Sequence, residues 1–255
     1  MSKLEMDSLI VHRHTEVDQI LFGLSREAIY LWKEEIELLC KENSSLMQVR
    51  IVKVDGKVEL NYDKFNGVKL SNFIKEYADT LTEKDIILII QQICWGIQAI
   101  HSAGFIHRDI GLSNIWISKS RPFAVKVGDF ELMNKVSSYK TKNVLGTGFY
   151  APNEQVLKEG IESYSLDIYS IGITLAYLLL KQCPNITNDI FDIKTLEQEM
   201  RTRYGAQVFD IVNKAVNVNP DDRYQNVSEF ADELITEIVN NQKAVGEESP
   251  QLIEA

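Results

Sequence analysis

Positive charge is in short supply in this chain: 27 Lys and Arg stand against 37 Asp and Glu, a formal net charge of −10 at pH 7. Covering a nucleic-acid backbone takes an excess of Lys and Arg, so this balance excludes a nonspecific nucleic-acid binder. It leaves room for a nucleotide site, where one local cation or a metal suffices. Cysteine is sparse as well. Cys40, Cys94 and Cys183 are odd in number and widely spaced, which excludes a disulfide framework and any paired metal-ligand pattern. They read as small buried hydrophobes in a reducing compartment. Long apolar runs are also missing. The most apolar stretch, Ile171 to Leu180, falls short of the roughly 20 residues a spanning helix needs. Met1 to Ser8 carries charge and lacks the apolar core of a signal peptide. The expectation is a cytoplasmic protein with neither membrane nor nucleic acid as partner.

What is present is the composition of an ordinary folded protein, 45% hydrophobic and 25% charged, in 255 residues. That length fits one large domain or one two-lobed unit. Ser25 is placed to cap a helix to Glu42, with Ile29, Trp32, Ile36 and Leu39 on one face. Met47 to Val54 and Lys57 to Tyr62 read as a hairpin joined through Asp55-Gly56. A helix from about Leu70 to Tyr77 follows. Thr82 to Asp85 has the form of a capping box opening a long helix, in which Ile86, Ile89, Ile90, Ile93, Ile97 and Ile100 keep helical spacing. Residues 132–150 are polar and aperiodic, hence a loop. Asp167 to Leu180 is apolar all round, the mark of a buried helix. Helical patterns continue to about Asn240, and the acidic end reads as a disordered tail.

Between these elements lies a chemically distinct stretch. His107-Arg108-Asp109 is followed five residues later by Asn114, and Asp129-Phe130 comes fifteen residues after that, next to the short apolar strands Ile115 to Ile117 and Ala124 to Val127. The set is one acid able to orient a hydroxyl, plus an amide and a second acid able to hold a divalent metal. Phosphoryl transfer asks for little more than a positioned nucleophile and cations on the phosphate oxygens. Hard oxygen ligands such as Asn114 and Asp129 suit magnesium.

These residues resemble the catalytic loop (H-R-D-x-x-x-x-N) and metal loop (D-F-G) of the eukaryotic-type protein kinases. Further segments fall in the family's order. Gly146-Thr147 through Pro152-Asn153-Glu154 is similar to the end of the activation segment, with the Ala-Pro-Glu order disturbed by one position. Ser165-Leu166-Asp167 resembles the start of the buried helix whose Asp bonds the catalytic loop, and Asn219 to Tyr224 resembles the segment whose Arg223 pairs with Glu154. The resemblance implies an α+β, two-lobed kinase-like fold. Residues 1–66 form an abbreviated N-lobe of a few antiparallel strands and one helix, residues 67–240 a mostly helical C-lobe, and residues 241–255 the tail.

By the same resemblance Asp109 is the catalytic base, and Asn114 and Asp129 hold Mg2+ or Mn2+. Arg108 couples the catalytic loop to the activation segment, which carries Thr147. Glu35, with Glu34 as competitor, is the helix Glu that orients the ATP-binding lysine. Tyr62 guards the back of the adenine pocket, and Asp63 to Phe65 supply its backbone groups. The chain departs from the family in three places. Before Ser25 it has only Gly23, too little for a glycine-rich loop, and no V-A-I-K-like strand; Leu9-Ile10-Val11-His12 is the nearest analogue, with His12 or Arg13 at the cationic position. Gly111 stands where Ser/Thr kinases place a lysine, and Glu131 replaces the metal-loop glycine. The function implied is ATP-dependent phosphorylation of Ser/Thr hydroxyls on a protein substrate. The alternatives are a pseudokinase that acts on a partner protein as a scaffold, and a small-molecule phosphotransferase.

Overall fold

The computed structural model describes residues 9–12, 26–54, 57–136, 150–156, 163–182 and 193–245. Thr147, Cys183, the Asp55-Gly56 turn and everything beyond Val245 lie outside the described residues. The smaller part begins with strand β1 (Leu9–His12), followed by helix α1 (Arg26–Glu42) and strands β2 (Val49–Val54) and β3 (Lys57–Asp63). The three strands form an antiparallel sheet with β3 in the middle, and Val54 opposite Lys57 closes the expected hairpin. The register of β1 sets Ile10 opposite Tyr62 and His12 opposite Leu60. Helix α1 packs on β2 through Lys33, Ile36 and Cys40, which repeat at one-face helical spacing and are buried. The Glu37 carboxylate accepts from the Ile51 amide at 3.2 Å and pins the helix to the strand edge.

The larger part starts with strand β4 (Gly67–Lys69), helix α2 (Leu70–Tyr77) and the long helix α3 (Glu83–Ser102). All six isoleucines picked out by their spacing in α3 are buried. Its start is fixed locally. The Thr82 hydroxyl accepts from the Asp85 amide at 3.1 Å, and the Asp85 carboxylate accepts from the Thr82 amide at 2.8 Å, a complete capping box. Arg121 clamps the same carboxylate at 2.7 and 3.0 Å. Burial by itself would lift the Asp85 pKa; Arg121 and Thr82 override it and bring it down to about 2.

Strands β5 (Phe105–Ile106), β6 (Ile115–Ser118), β7 (Val125–Val127) and β8 (Asn134–Lys135) follow, then helices α4 (Asn153–Val156), α5 (Ser165–Leu179), α6 (Glu197–Tyr204), α7 (Ala206–Ala215) and α8 (Val227–Val245). Two expectations change. The stretch from 132 contains β8, which pairs with β5 through Phe105–Lys135 and Ile106–Asn134; a two-residue strand carries no period to read. Helix α8 also continues past the expected boundary at 240 to Val245. The apolar helix α5 is buried almost throughout and packs on α7. A Cβ on Gly172 would sit 2.8 Å from Val216 Cγ1 and 2.9 Å from the Ala215 methyl, so the glycine lets the two helices approach. Gly172→Val is therefore expected to destabilise the protein by about 3 kcal/mol, the upper end of the overpacking range. A urea midpoint equal to wild type would show that the helices can separate without penalty.

Cys40 and Cys94 are buried free thiols. Burial pushes the Cys94 thiol up to about 12 and that of Cys40 further, so neither offers a thiolate near neutral pH. Among the described residues no helix is long and apolar enough to cross a membrane.

Candidate active site

Strand pairing assembles the site. Strands β4, β6 and β7 form an antiparallel sheet with β6 in the middle; Lys69 lies opposite Trp116, and Ile115 opposite Val127. The end of β4, the start of β6 and the end of β7 therefore share one edge. Lys69, Asn114 and Asp129 leave the sheet there. The Gly128 amide donates to the Asn114 carbonyl at 3.0 Å, a further rung that holds the last two loops side by side. Asn114 Nδ2 donates to the backbone carbonyl of Asp109 at 2.7 Å and to its Oδ2 at 2.8 Å. One amide thus ties down both the backbone and the carboxylate of Asp109, and its own Oδ1 lies on the far side of that amide group.

The loop carrying Asp109 is held from below by Asp167, at the start of α5 and fully buried. Its Oδ1 accepts from the Arg108 amide and its Oδ2 from the His107 amide, each at 2.8 Å, and His101 Nε2 bonds Oδ2 at 2.8 Å. His101 sits in the last turn of α3, buried as the carboxylate's side-chain partner. Burial alone would raise the Asp167 pKa, but the His101 hydrogen bond, the electrostatic influence of the two neighbouring imidazoles and the His107 amide outweigh it and hold the carboxyl below its ordinary value. His107 is buried, its Nε2 donating to the Gly128 carbonyl at 3.0 Å and its Nδ1 accepting from the Asp109 amide at 3.3 Å. A carbonyl can only accept, so this geometry assigns the Nε2–H tautomer.

Two non-glycine residues on these loops sit in left-handed backbone, Arg108 at φ 66° and Asp129 at φ 67°. Such a conformation costs about 1–2 kcal/mol for an L-residue and persists only where the surroundings enforce it. Arg108 is enforced by Asp167, by its own Nε donating to the Leu132 carbonyl at 2.7 Å, and by Gln155 Nε2 donating to its carbonyl at 2.8 Å. Asp129 leads into the 3-10 turn Phe130–Leu132, whose Phe130 is buried against the rings of Tyr62 and His107. The Phe130 amide donates to the Tyr62 hydroxyl at 2.8 Å. Burial first, and then the negative charge of Glu131, push the Tyr62 phenol well above its ordinary pKa. Glu131 is itself buried beneath the loop, whereas Asp129 keeps 28% side-chain exposure.

Glu35 is a correction. It is half exposed and pairs with Lys135 at 2.7 Å, while the face of α1 turned inward carries Lys33, Ile36 and Cys40. Helical phase decides this, since Glu34 and Glu35 both fall off the buried stripe. Asp63 takes part in an exposed pair with Arg50 at 2.6 Å, and its amide donates to the Gln48 carbonyl. Phe65 is partly buried, and its carbonyl accepts from the Gly67 amide at 2.9 Å. His12 stands on an outer strand of the sheet beside β3.

At the base of the larger part, Glu154 and Arg223 form a bidentate pair at 2.6 and 3.1 Å, with the guanidinium buried over Tyr169. Gly111 lies under the Tyr150 ring, which a Cβ would meet at 3.0 Å; the ring occupies the space that a longer side chain at 111 would need. Two residues at the site went unread in the sequence. Gln155 gave no signal beyond its nearness to Glu154. Lys69 gave no signal either, because a three-residue strand has too little pattern to reveal its partner.

A match to the protein kinase domain covers residues 33–244 and begins inside α1, after the segment that lacks a glycine-rich loop. The serine/threonine-protein kinase PknB of Mycolicibacterium smegmatis is 33% identical over 193 residues, 65% of this chain and 30% of that protein. The serine/threonine-protein kinase Nek9 of Mus musculus is 26% identical over 235 residues, 87% of this chain and 23% of that protein. The chain thus spans less than a third of the length of these relatives. A crystal structure of the Mycobacterium tuberculosis PknI kinase domain, a double mutant, shares the fold with a TM-score of 0.63 at 16% identity, covering 84% of this chain and 80% of that one. A two-part α+β fold, with the loops of Asp109 and Asp129 joined at one sheet edge and a domain match over most of the length, places this chain in the protein kinase domain family.

Proposed function

We propose that this chain is a serine/threonine protein kinase that transfers the γ-phosphate of ATP to a hydroxyl of a protein substrate. The observation that carries the reading is the double hydrogen bond from Asn114 to Asp109, made at the edge where Asp129 also emerges. In this reading Asp109 receives the substrate hydroxyl and accepts its proton, its carboxylate held by Asn114. Tyr62 closes the back of the adenine pocket, the backbone from Asp63 to Phe65 binds the base, and His12, on the outer strand beside β3, stands at the cationic position.

The donor set suits magnesium or manganese. Asn114 and Asp129 are hard oxygen ligands, and among the described residues no group of three or more His, Cys, Asp or Glu is gathered as a closed metal cage. Magnesium is held through one or two carboxylates plus substrate phosphates, so an open pair of this kind fits it. When bound, the metal neutralises the phosphate oxygens. Arg108, Glu154, Asp167 and Arg223 act as positioning residues, and Thr147 belongs to the activation segment.

The test is transfer of labelled phosphate from ATP to a generic basic protein substrate by the purified chain. Transfer that requires magnesium, stops with EDTA and yields phosphoserine or phosphothreonine is expected. No transfer and no thermal shift with Mg-ATP would return the chain to a scaffolding role. Phosphorylation of an aminoglycoside or choline with no protein labelled would reassign the substrate class.

A further inference from the structure

The family's phosphate-binding lysine has no counterpart in the sequence, and the structure offers a cation from another direction. Lys69 ends β4, and its ammonium lies 4.0 Å from Asp129 Oδ2, with 31% side-chain exposure against 28% for the Asp. Its stem runs along Trp116, the ring centroid 5.1 Å from Nζ, as expected for cross-strand partners on one face of a sheet. Local stability does not account for a lysine here. Lys69 is the N-cap of α2, makes no side-chain capping bond, and sets a cation at the positive end of a helix whose first turn has no acid. Ser, Thr, Asp or Asn at that position would cap the helix and stabilise it. A residue that breaks its local rule beside a candidate site is the pattern expected of function.

We infer that Lys69 is the phosphate-clamping cation of this kinase, reaching in from the edge of the larger part rather than from the sheet of the smaller one. The inference rests on the kinase reading above. The ammonium rests on Asp129. At 4.0 Å and with both partners partly in water this is a weak pair, so the lysine exchanges readily for a stronger anion. The triphosphate is that anion. Lys69 would then supply positive charge to the phosphates beside the metal that Asp129 would hold, in place of the lysine that no V-A-I-K-like segment of the sequence provides.

The experiment is calorimetric titration of the full chain, wild type, Lys69→Met and Lys69→Arg, with Mg-ATP and separately with adenosine. A charge-assisted contact to phosphate predicts Mg-ATP binding about tenfold to a hundredfold weaker in Lys69→Met. Adenosine binding should be unchanged, and Lys69→Arg should restore most of the Mg-ATP affinity. Lys69→Met binding Mg-ATP as tightly as wild type would overturn the inference and leave the kinase reading standing. Equal loss for ATP and adenosine would also overturn it, by showing that Lys69 shapes the pocket rather than contacting phosphate. Wild type that binds no Mg-ATP at all would remove the kinase reading, and the role of Lys69 with it.

Discussion

Asp109→Asn is expected to slow phosphate transfer by about two to four decades while leaving the affinity for Mg-ATP within a factor of about two, the range usual for loss of a positioned general base. The amide is isosteric with the carboxylate. Asn114 keeps its bond to the backbone carbonyl at 109, which the substitution does not touch, and can still donate to the side-chain oxygen. What disappears is the capacity to take a proton from the substrate hydroxyl. The loss should therefore lie in kcat, with the KM for ATP nearly constant, because the interaction removed is made in the transition state. Two decades correspond to about 2.7 kcal/mol of barrier. Transfer within threefold of wild type would mean that Asp109 is not the base. A parallel loss of Mg-ATP binding would mean that the substitution disturbs the metal loop through Asn114 instead.

The largest stability effect is expected at Asp167. Its carboxylate receives three hydrogen bonds inside the protein, from the amides of His107 and Arg108 and from His101. In Asp167→Asn one oxygen becomes an NH2 group facing another donor, and a buried amide of the catalytic loop is left unsatisfied. Removing one member of such a buried charged arrangement costs about 3–5 kcal/mol. For a domain of this size that is a drop of about 6–20 °C in Tm. The left-handed Arg108 backbone loses its main restraint, so transfer should also fall at temperatures where the variant is still folded.

The pH dependence follows from the direction of the Asp167 shift. Its folded-state pKa is held below the unfolded value, so its stabilisation is fully present above about pH 3.9 and is lost as pH falls through the folded value. Asp85, at about 2 in the folded protein, loses its contribution in the same acid window. Urea midpoints measured from neutral pH down to pH 3 should show a shallower acid decline in Asp167→Asn than in wild type. A variant less than about 1 kcal/mol below wild type, with the same acid limb, would show that the loop is held by other means.

Helices whose apolar residues repeat cleanly were legible before any coordinates. The isoleucines of α3, the capping box of Thr82 and Asp85 and the apolar run of α5 are local patterns, and each maps onto a buried surface or a closed hydrogen-bond ring. Strands of two or three residues were not legible. β4 and β8 have no period of their own and exist because β6 and β5 present open edges to them. At the site, the order of Asp109, Asn114 and Asp129 in the chain announced a chemistry. Helix phase decided the fate of Glu35: it depends on where α1 meets β2, and that contact placed Lys33 inside and Glu35 out toward Lys135.

The amino acids in order were enough to determine the class of fold and the family, because those depend on residue type and spacing along the chain; the same spacing put forward Asp109, Asn114 and Asp129 as the groups for the proposed phosphate chemistry. Only the tertiary structure decided which cation meets Asp129, that His101 is spent on Asp167, and that Tyr62 restrains the backbone at Phe130. Each of these contacts joins residues about 60 positions apart or more. At that separation no local pattern constrains the pairing; strand register and helix packing do.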